Sequence, residues 1–222
     1  MEYLVTMTTH VPDGTSAEAV DGVRARESAH TRELAAQGYV LRLWRPPLGP
    51  GEWRTLGLFA AADAAELERV LAAMPLRVWR TDEVKELKPH WNDPAPGAWA
   101  GQPAGSGKTT AEFLVTFTPA VPAGTPERDL AKATDGEAER TGELAKEGRL
   151  IRLWVLPAEH GGLPALGLWR AGDEAAMQSI LESLPQYPYF TAETTTLTAH
   201  PSDPAAPGSR SIVQERIEEA RG

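Results

Sequence analysis

Cysteine is absent from this chain of 222 residues, which excludes disulfides and thiolate chemistry and leaves the redox compartment open. No apolar run approaches the roughly 20 residues that cross a bilayer. The N-terminal MEYLVTMTTHVP has neither a basic n-region nor a long apolar core. Neither a membrane partner nor a signal peptide is therefore expected, and the expected location is cytoplasmic. Runs of Lys and Arg are missing too, and the formal net charge is −9, so no nucleic-acid partner is expected. The five histidines, His10, His30, His90, His160 and His200, show no H-x-x-x-H spacing, so no metal site is expected. No Gly-x-Ser-x-Gly or other nucleophile signature occurs. Gly105-Ser-Gly-Lys-Thr looks like a phosphate loop, but position 102 is Gln where the motif needs Gly. The segment also precedes a strand where the motif should follow one. No nucleotide is expected to bind there. What is present is 41% hydrophobic and 24% charged, enough for one large or two small globular domains.

The chain repeats itself. Glu2-Tyr-Leu-Val-Thr returns as Glu112-Phe-Leu-Val-Thr, Arg42-Leu-Trp as Arg152-Leu-Trp, Leu56-Gly-Leu as Leu166-Gly-Leu, and Asp93-Pro as Asp203-Pro. Every pair is 110 positions apart, and 34 of the 93 positions from 2 to 94 are identical to their partners. The period is too long for a solenoid, so the repeat is a duplicated domain. Each copy reads as strand, turn, helix, strand, strand, helix, strand. In the first these are a strand at 3–8, a helix at 16–37 closed by Gly38, strands at 39–45 and 53–60, a helix from Asp63 to Ala73, and a strand at 77–87. That order, β-α-β-β-α-β, is the ferredoxin-like plan. Expected boundaries are 1–95 for the first domain, 96–111 for a Pro/Gly/Ala linker, 112–205 for the second domain and 206–222 for a tail. Within the tail, Ser211–Arg221 has the pattern of one amphipathic helix.

An acid interrupts the apolar stripe of each long helix. Spacings of three and four give Val20, Val23, Glu27, His30 and Leu34, and in the second copy Leu130, Ala133, Glu137, Arg140 and Leu144. A carboxylate there faces the sheet, and burial raises its pKa unless a cation offsets it. Such a group suits proton transfer near neutral pH. Glu27 and Glu137 are accordingly the candidate catalytic residues, with a surface salt bridge as the plainer alternative. On the following strand Arg42 and Trp44 point to one face and Leu41 and Leu43 to the other, as do Arg152 and Trp154 in the copy. If Arg42 shares a side with Glu27, the two form a buried pair or a carboxylate-binding site. Otherwise Arg42 pairs with an acid elsewhere. Trp44 and Trp154 serve either packing or ligand stacking. His30 lies one turn from Glu27, in the first copy only. His90 and His200 are the only histidines that repeat.

These residues resemble the muconolactone isomerase family. The likeness rests on Tyr3-Leu-Val-Thr-Met, on the helix carrying Glu27 and ending in Gln37-Gly38, on Leu43-Trp44-Arg45 and on Leu71 to Pro75. It extends to Leu184-Pro-Gln-Tyr-Pro-Tyr-Phe and to His200-Pro-Ser. The resemblance implies an α+β protein in which two fused ferredoxin-like domains form an intramolecular dimeric α+β barrel. It also implies an enzyme without cofactor that moves a double bond in an unsaturated lactone bearing a carboxylate. Glu27 and Glu137 would then be the acid/base residues. Arg24 or Arg42 would hold the carboxylate or steady the dienolate, and Arg24, His30, Arg42, Trp44, Arg152, Trp154, His90 and His200 form the candidate substrate-binding set. The first copy keeps more cations, since Arg24 becomes Thr134, and is the expected active half. A small-molecule substrate is the expected partner, and a homo-oligomer is left open. Two alternatives stand beside this reading: a cofactor-free oxygenase or cyclase acting on a polycyclic aromatic substrate, and a non-enzymatic binding or assembly module.

Overall fold

A computed structural model of the protein describes residues 1–95, 111–157 and 163–206. The linker before Ala111, the Gly105-Ser-Gly-Lys-Thr segment, His160 and the expected tail helix lie outside the described residues. The first repeat runs β1 (Glu2–Thr9), α1 (Ala17–Ala36), β2 (Val40–Arg45), β3 (Arg54–Ala60), α2 (Ala64–Ala73) and β4 (Arg80–Pro89). The second runs β5 (Ala111–Pro119), α3 (Glu127–Lys146), β6 (Leu150–Val155), β7 (Ala165–Ala171), α4 (Glu174–Glu182) and β8 (Phe190–Ala199). The class is α+β and the plan is ferredoxin-like twice over, as expected.

Local chemistry sets these bounds. The Ser16 hydroxyl accepts from the Ala19 N–H at 3.2 Å and caps α1, and Asp63 and Asp173 cap α2 and α4 in the same way. Gly38 and Gly148 end the long helices at φ +84° and +72°, a left-handed conformation that glycine adopts without penalty. The repeated Leu-Gly-Leu has a packing cause. A Cβ on Gly57 would collide with the Phe59 ring, and one on Gly167 with the Trp169 indole. One expectation needs correction. The fourth strand starts at Arg80, three residues later than read from sequence, because Pro75–Trp79 forms a 3-10 turn. Pro75 presets φ for such a turn and has no N–H to lose.

The compact units do not end where the repeats end. One unit holds residues 1–86 with the described residues from 198 onward. The other holds 87–95 and the remainder up to 197. The strand order is β4-β1-β3-β2-β8 in unit one and β8-β5-β7-β6-β4 in unit two. Both orders include β4 and β8, which is the hydrogen-bond connectivity that the barrel expectation requires. In unit one Trp44 and Arg45 pair with Ala199 and Thr198. In unit two Trp154 and Val155 pair with Pro89 and Lys88. Each unit is thus completed by the last residues of the other repeat.

A buried ion pair fixes each exchanged end. Asp203 accepts from Arg42 Nε and Nη2 at 3.1–3.2 Å and from the Leu43 N–H at 3.2 Å. Asp93 does the same with Arg152 and the Leu153 N–H, at 3.0–3.1 Å. The side chains of Asp93, Asp203 and Arg152 are fully buried and that of Arg42 almost so. Bidentate geometry and a third hydrogen bond offset the cost of removing these charges from water. This joint requirement explains why Arg-Leu-Trp and Asp-Pro both recur. Apolar side chains under the helices form the two cores. Tyr3, Val5, Leu34, Leu43, Phe59 and Leu71 serve unit one, and Phe113, Val115, Leu144, Leu153, Trp169 and Leu181 serve unit two.

Candidate active site

Unit one contains a pocket of about 230 Å³ between α1 and the sheet. Met7, Leu43 and Met74 give it an apolar wall, and Thr9, Thr31 and Thr55 line it as well. Glu27 and Arg80 form one charged side, while Arg24, Arg45, Trp53 and the His200–Ser202 segment complete the lining. The volume and the mix of apolar wall with a few polar groups suit a small molecule.

Glu27 is the central group. Its side chain is 12% exposed. Oε2 accepts from the Leu76 N–H at 2.8 Å, and Oε1 accepts from Arg80 Nη1 at 3.3 Å. The 3-10 turn supplies the first contact by turning the Leu76 N–H toward α1. Burial raises the Glu27 pKa, against the lowering pull of the Leu76 hydrogen bond, Arg80 and His30. The result is a carboxylate held in place but more basic than an exposed one. Arg80 is itself buried and does not belong to Glu27 alone. It donates to Asp82 at 2.6 and 3.0 Å and touches the Met74 sulfur. Asp82 also pairs with Arg77.

Cations stand around the pocket at different depths. Arg24 is half-exposed, 3.7 Å from Asp21, with its guanidinium 4.7 Å from the centre of the Trp53 ring. Arg45 follows Leu43 by two positions on β2 and so shares its face. His200 is held differently. Its Nδ1 accepts from the Ser202 N–H at 3.1 Å, so a proton on the neutral ring sits on Nε2. Burial, with Arg45 and Arg24 nearby, lowers its pKa to about 4. The hydroxyls of Ser28 and Ser202 are 3.1 Å apart and join α1 to this segment.

The residues singled out in the sequence separate into two groups. Glu27, Arg24 and His200 meet at one pocket. Arg42 does not join them. It turns away with Trp44, whose ring centre lies 4.8 Å from the guanidinium, and it holds Asp203. Arg152 and Trp154 repeat this arrangement at 4.9 Å. The conditional pairing of Arg42 with Glu27 is therefore not made. Leu43, not Arg42, has the parity that faces α1. His30 contacts Glu33 at 3.4 Å and is not part of the pocket lining. Arg80, Arg45, Thr31 and Trp53 were missed. The signal for Arg45 was its parity with Leu43. Arg80 offered only the change to Phe190 in the second copy. Among the described residues no group of three or more His, Asp or Glu is placed to hold a metal ion.

In unit two the corresponding acid sits among different neighbours. Glu137 is buried, and Oε2 accepts from the Gln186 N–H at 3.0 Å. Burial raises its pKa, opposed by that hydrogen bond. Among the described residues no guanidinium contacts it. At the position of Arg80 stands Phe190, edge-on to Phe117 at 4.9 Å and to Tyr187 at 5.9 Å. Arg24, Arg45 and Trp53 become Thr134, Val155 and Leu163. His90 matches His200, with Nδ1 accepting from the Asn92 N–H at 3.1 Å, but it stacks on Trp91. Burial lowers its pKa, against the pull of Asp93.

Fold and site together define a duplicated ferredoxin-like α+β protein whose first unit holds a half-sequestered carboxylate in a cation-rimmed pocket. The family model for Muconolactone delta-isomerase matches residues 1–93 and again 111–203, and the chain belongs to that family. It is 31% identical over 90 residues to Muconolactone Delta-isomerase 1 of Acinetobacter lwoffii, covering 40% of this chain and 91% of that one. It is 30% identical over 90 residues to Muconolactone Delta-isomerase of Cupriavidus pinatubonensis, covering 40% and 95%. Among solved structures it is similar to a heme-binding protein from Thermus thermophilus, with TM-score 0.56 and 11% identity over 91% of this chain and 93% of that one. Chlorite dismutase from Candidatus Nitrospira defluvii gives TM-score 0.53 and 10% identity over 89% and 91%. At these identities the likeness is one of fold alone. No helix among the described residues is long and apolar enough to cross a membrane.

Proposed function

We propose that unit one is the active half of a cofactor-independent isomerase that shifts a double bond in a small unsaturated, carboxylate-bearing lactone or ring compound. The observation that carries this reading is the Glu27 carboxylate, which borders the pocket, is fixed by the Leu76 N–H and is made more basic by burial. The carboxylate removes a proton from the saturated γ carbon beside the conjugated C=C–C=O system, and the electron pair enters a dienolate. The resulting carboxylic acid returns the proton to the α carbon next to the carbonyl, which leaves the double bond between the β and γ carbons, so nothing is oxidised or reduced. Arg24 and Arg45 hold the carboxylate of the substrate at the rim. Burial raises the Glu27 pKa and Arg80, deeper, pulls it down only in part, which leaves the carboxylate more basic than an exposed one. Unit two keeps the fold and the acid but lacks these cations, and it acts as a structural partner. The test is solvent-deuterium incorporation into muconolactone and related butenolide acids. Wild type and Glu137→Gln are expected to exchange, and Glu27→Gln is not. Full exchange in Glu27→Gln would end the assignment.

A further inference from the structure

We propose that His200, supplied to unit one by the end of the second repeat, is a further catalytic residue, whose Nε2–H hydrogen-bonds the carbonyl oxygen on which negative charge develops. The proposal rests on the isomerase reading of the Glu27 site and adds the group that stabilises the other end of the moving electron pair. As the γ C–H bond breaks, the proton passes to Glu27, its electron pair forms a C=C bond between the γ and β carbons, the former α,β π pair moves in between the α and carbonyl carbons, and the carbonyl π pair moves onto oxygen. A carboxylate alone cannot stabilise that oxygen. A fixed donor beside it can, and such donors supply a large part of the rate in enolate chemistry.

The geometry fits His200 to this role on three counts. First, its ring lines the same pocket as Glu27, and the Nδ1 contact with the Ser202 N–H leaves Nε2 as the donor available to a ligand. Second, its position is fixed from several sides. The His200 N–H donates to the Leu43 carbonyl at 3.0 Å, the His200 carbonyl accepts from the Asp203 N–H at 2.8 Å, and Asp203 is held by Arg42. Ser202 meets Ser28 of α1. Third, the charged groups facing it, Arg24 from α1 and Arg45 from β2, act with burial to keep the imidazole neutral. A neutral imidazole donates a hydrogen bond to the enolate without giving up its proton and halting the reaction at the enol. The other cation close to the acid, Arg80, is already committed to Asp82 and Glu27. In this account the buried pair Arg42–Asp203 and the Ser28–Ser202 contact are positioning devices for His200.

The experiment uses the full chain with muconolactone as probe, following isomerisation and deuterium exchange, alongside 15N NMR of the histidine rings. The NMR is expected to show His200 neutral and protonated on Nε2 at pH 6–7. A ring protonated on Nδ1, or charged at pH 6, overturns the proposal whatever the substrate. His200→Ala is expected to lower kcat by about 10²- to 10³-fold with KM changed by less than about threefold. His200→Gln, which keeps an N–H donor, should recover at least about tenfold of that loss. A rise in KM with kcat intact would make His200 a binding residue and refute the catalytic role. Exchange lost in Glu27→Gln but kcat within twofold of wild type in His200→Ala would refute this proposal alone. Exchange retained in Glu27→Gln would instead refute the acid/base reading beneath it.

Discussion

Glu27 and Glu137 hold the same place in two units that fold alike, and the arginines around the first have no arginine counterpart around the second. Each lies on the long helix and accepts one backbone N–H from the residue after a proline, Leu76 after Pro75 and Gln186 after Pro185. Burial raises the pKa of both. Around Glu27 the lining carries Arg24, Arg45 and Arg80. Their counterparts are Thr134, Val155 and Phe190. The lesson is that the scaffold and the acid were retained together, because the backbone hydrogen bond makes the acid part of the helix-to-turn packing. The cations carry no such duty. Identity of the acid between repeats therefore reports architecture, and the charges around it report chemistry.

The sharpest break of the comparison is at the acids themselves. Glu27→Gln is expected to reduce turnover of the true substrate by at least about 10³-fold, and Glu137→Gln by less than twofold, measured as initial rates with deuterium exchange. Equal losses would mean two working sites. Next in size is Asp203→Ala against Asp93→Ala. Each takes a bidentate carboxylate away from a buried arginine and is expected to cost about 3 kcal/mol in urea or thermal unfolding. Only Asp203→Ala should also slow turnover at temperatures where the protein stays folded, because it loosens the segment bearing His200. A third variant makes unit one resemble unit two. Arg80→Phe leaves Asp82 paired with Arg77 and should lower kcat by about 10- to 100-fold. Losing that cation also raises the Glu27 pKa further, so the acidic limb of the rate profile should move to higher pH. A limb that stays in place would show that Arg80 does not act on Glu27.

These contrasts were only partly readable in the sequence. The duplication, the element order and the helix ends were legible because each depends on residues close together: Ser16, Asp63, Gly38, and the alternation of β1. Glu27 was legible because periodicity exposes an acid in an apolar stripe. Arg80 was not. Its contact with Glu27 spans 53 residues and depends on a 3-10 turn that delays β4, so a strand begun at Arg77 gives no reason to aim Arg80 at α1. The destination of Arg42 was equally hidden. Its partner is 161 residues away, contributed by the other repeat. The sequence did hold both halves of that pair, as two motifs recurring at the same period, without saying that they meet across repeats. On β2 a register shift between Val40 and Arg42 puts Val40 in the same core as Leu43, where unbroken alternation places it beside Arg42.

The smallest expected effect tests whether Glu137 has lost its function. Its folded-state pKa is raised, and among the described residues no guanidinium contacts it. Between the ordinary carboxylate pKa and that raised value, the folded protein holds a proton the unfolded chain has lost. Stability from this group is therefore full below the ordinary value and falls as pH rises through the folded one. Above that raised value the charged side chain remains as a cost. Glu137→Gln removes it and keeps an oxygen to accept the Gln186 N–H. The variant should melt about 2–4 °C above wild type at pH 7, the shift that roughly 1 kcal/mol produces in a protein of this size. At pH 4 the two should coincide. Glu27→Gln should gain less, since Arg80 already offsets the charge at that position. If Glu137→Gln instead melts lower at pH 7, the acid in unit two is stabilised by its ionised form, and the reading that no cation offsets its charge is wrong.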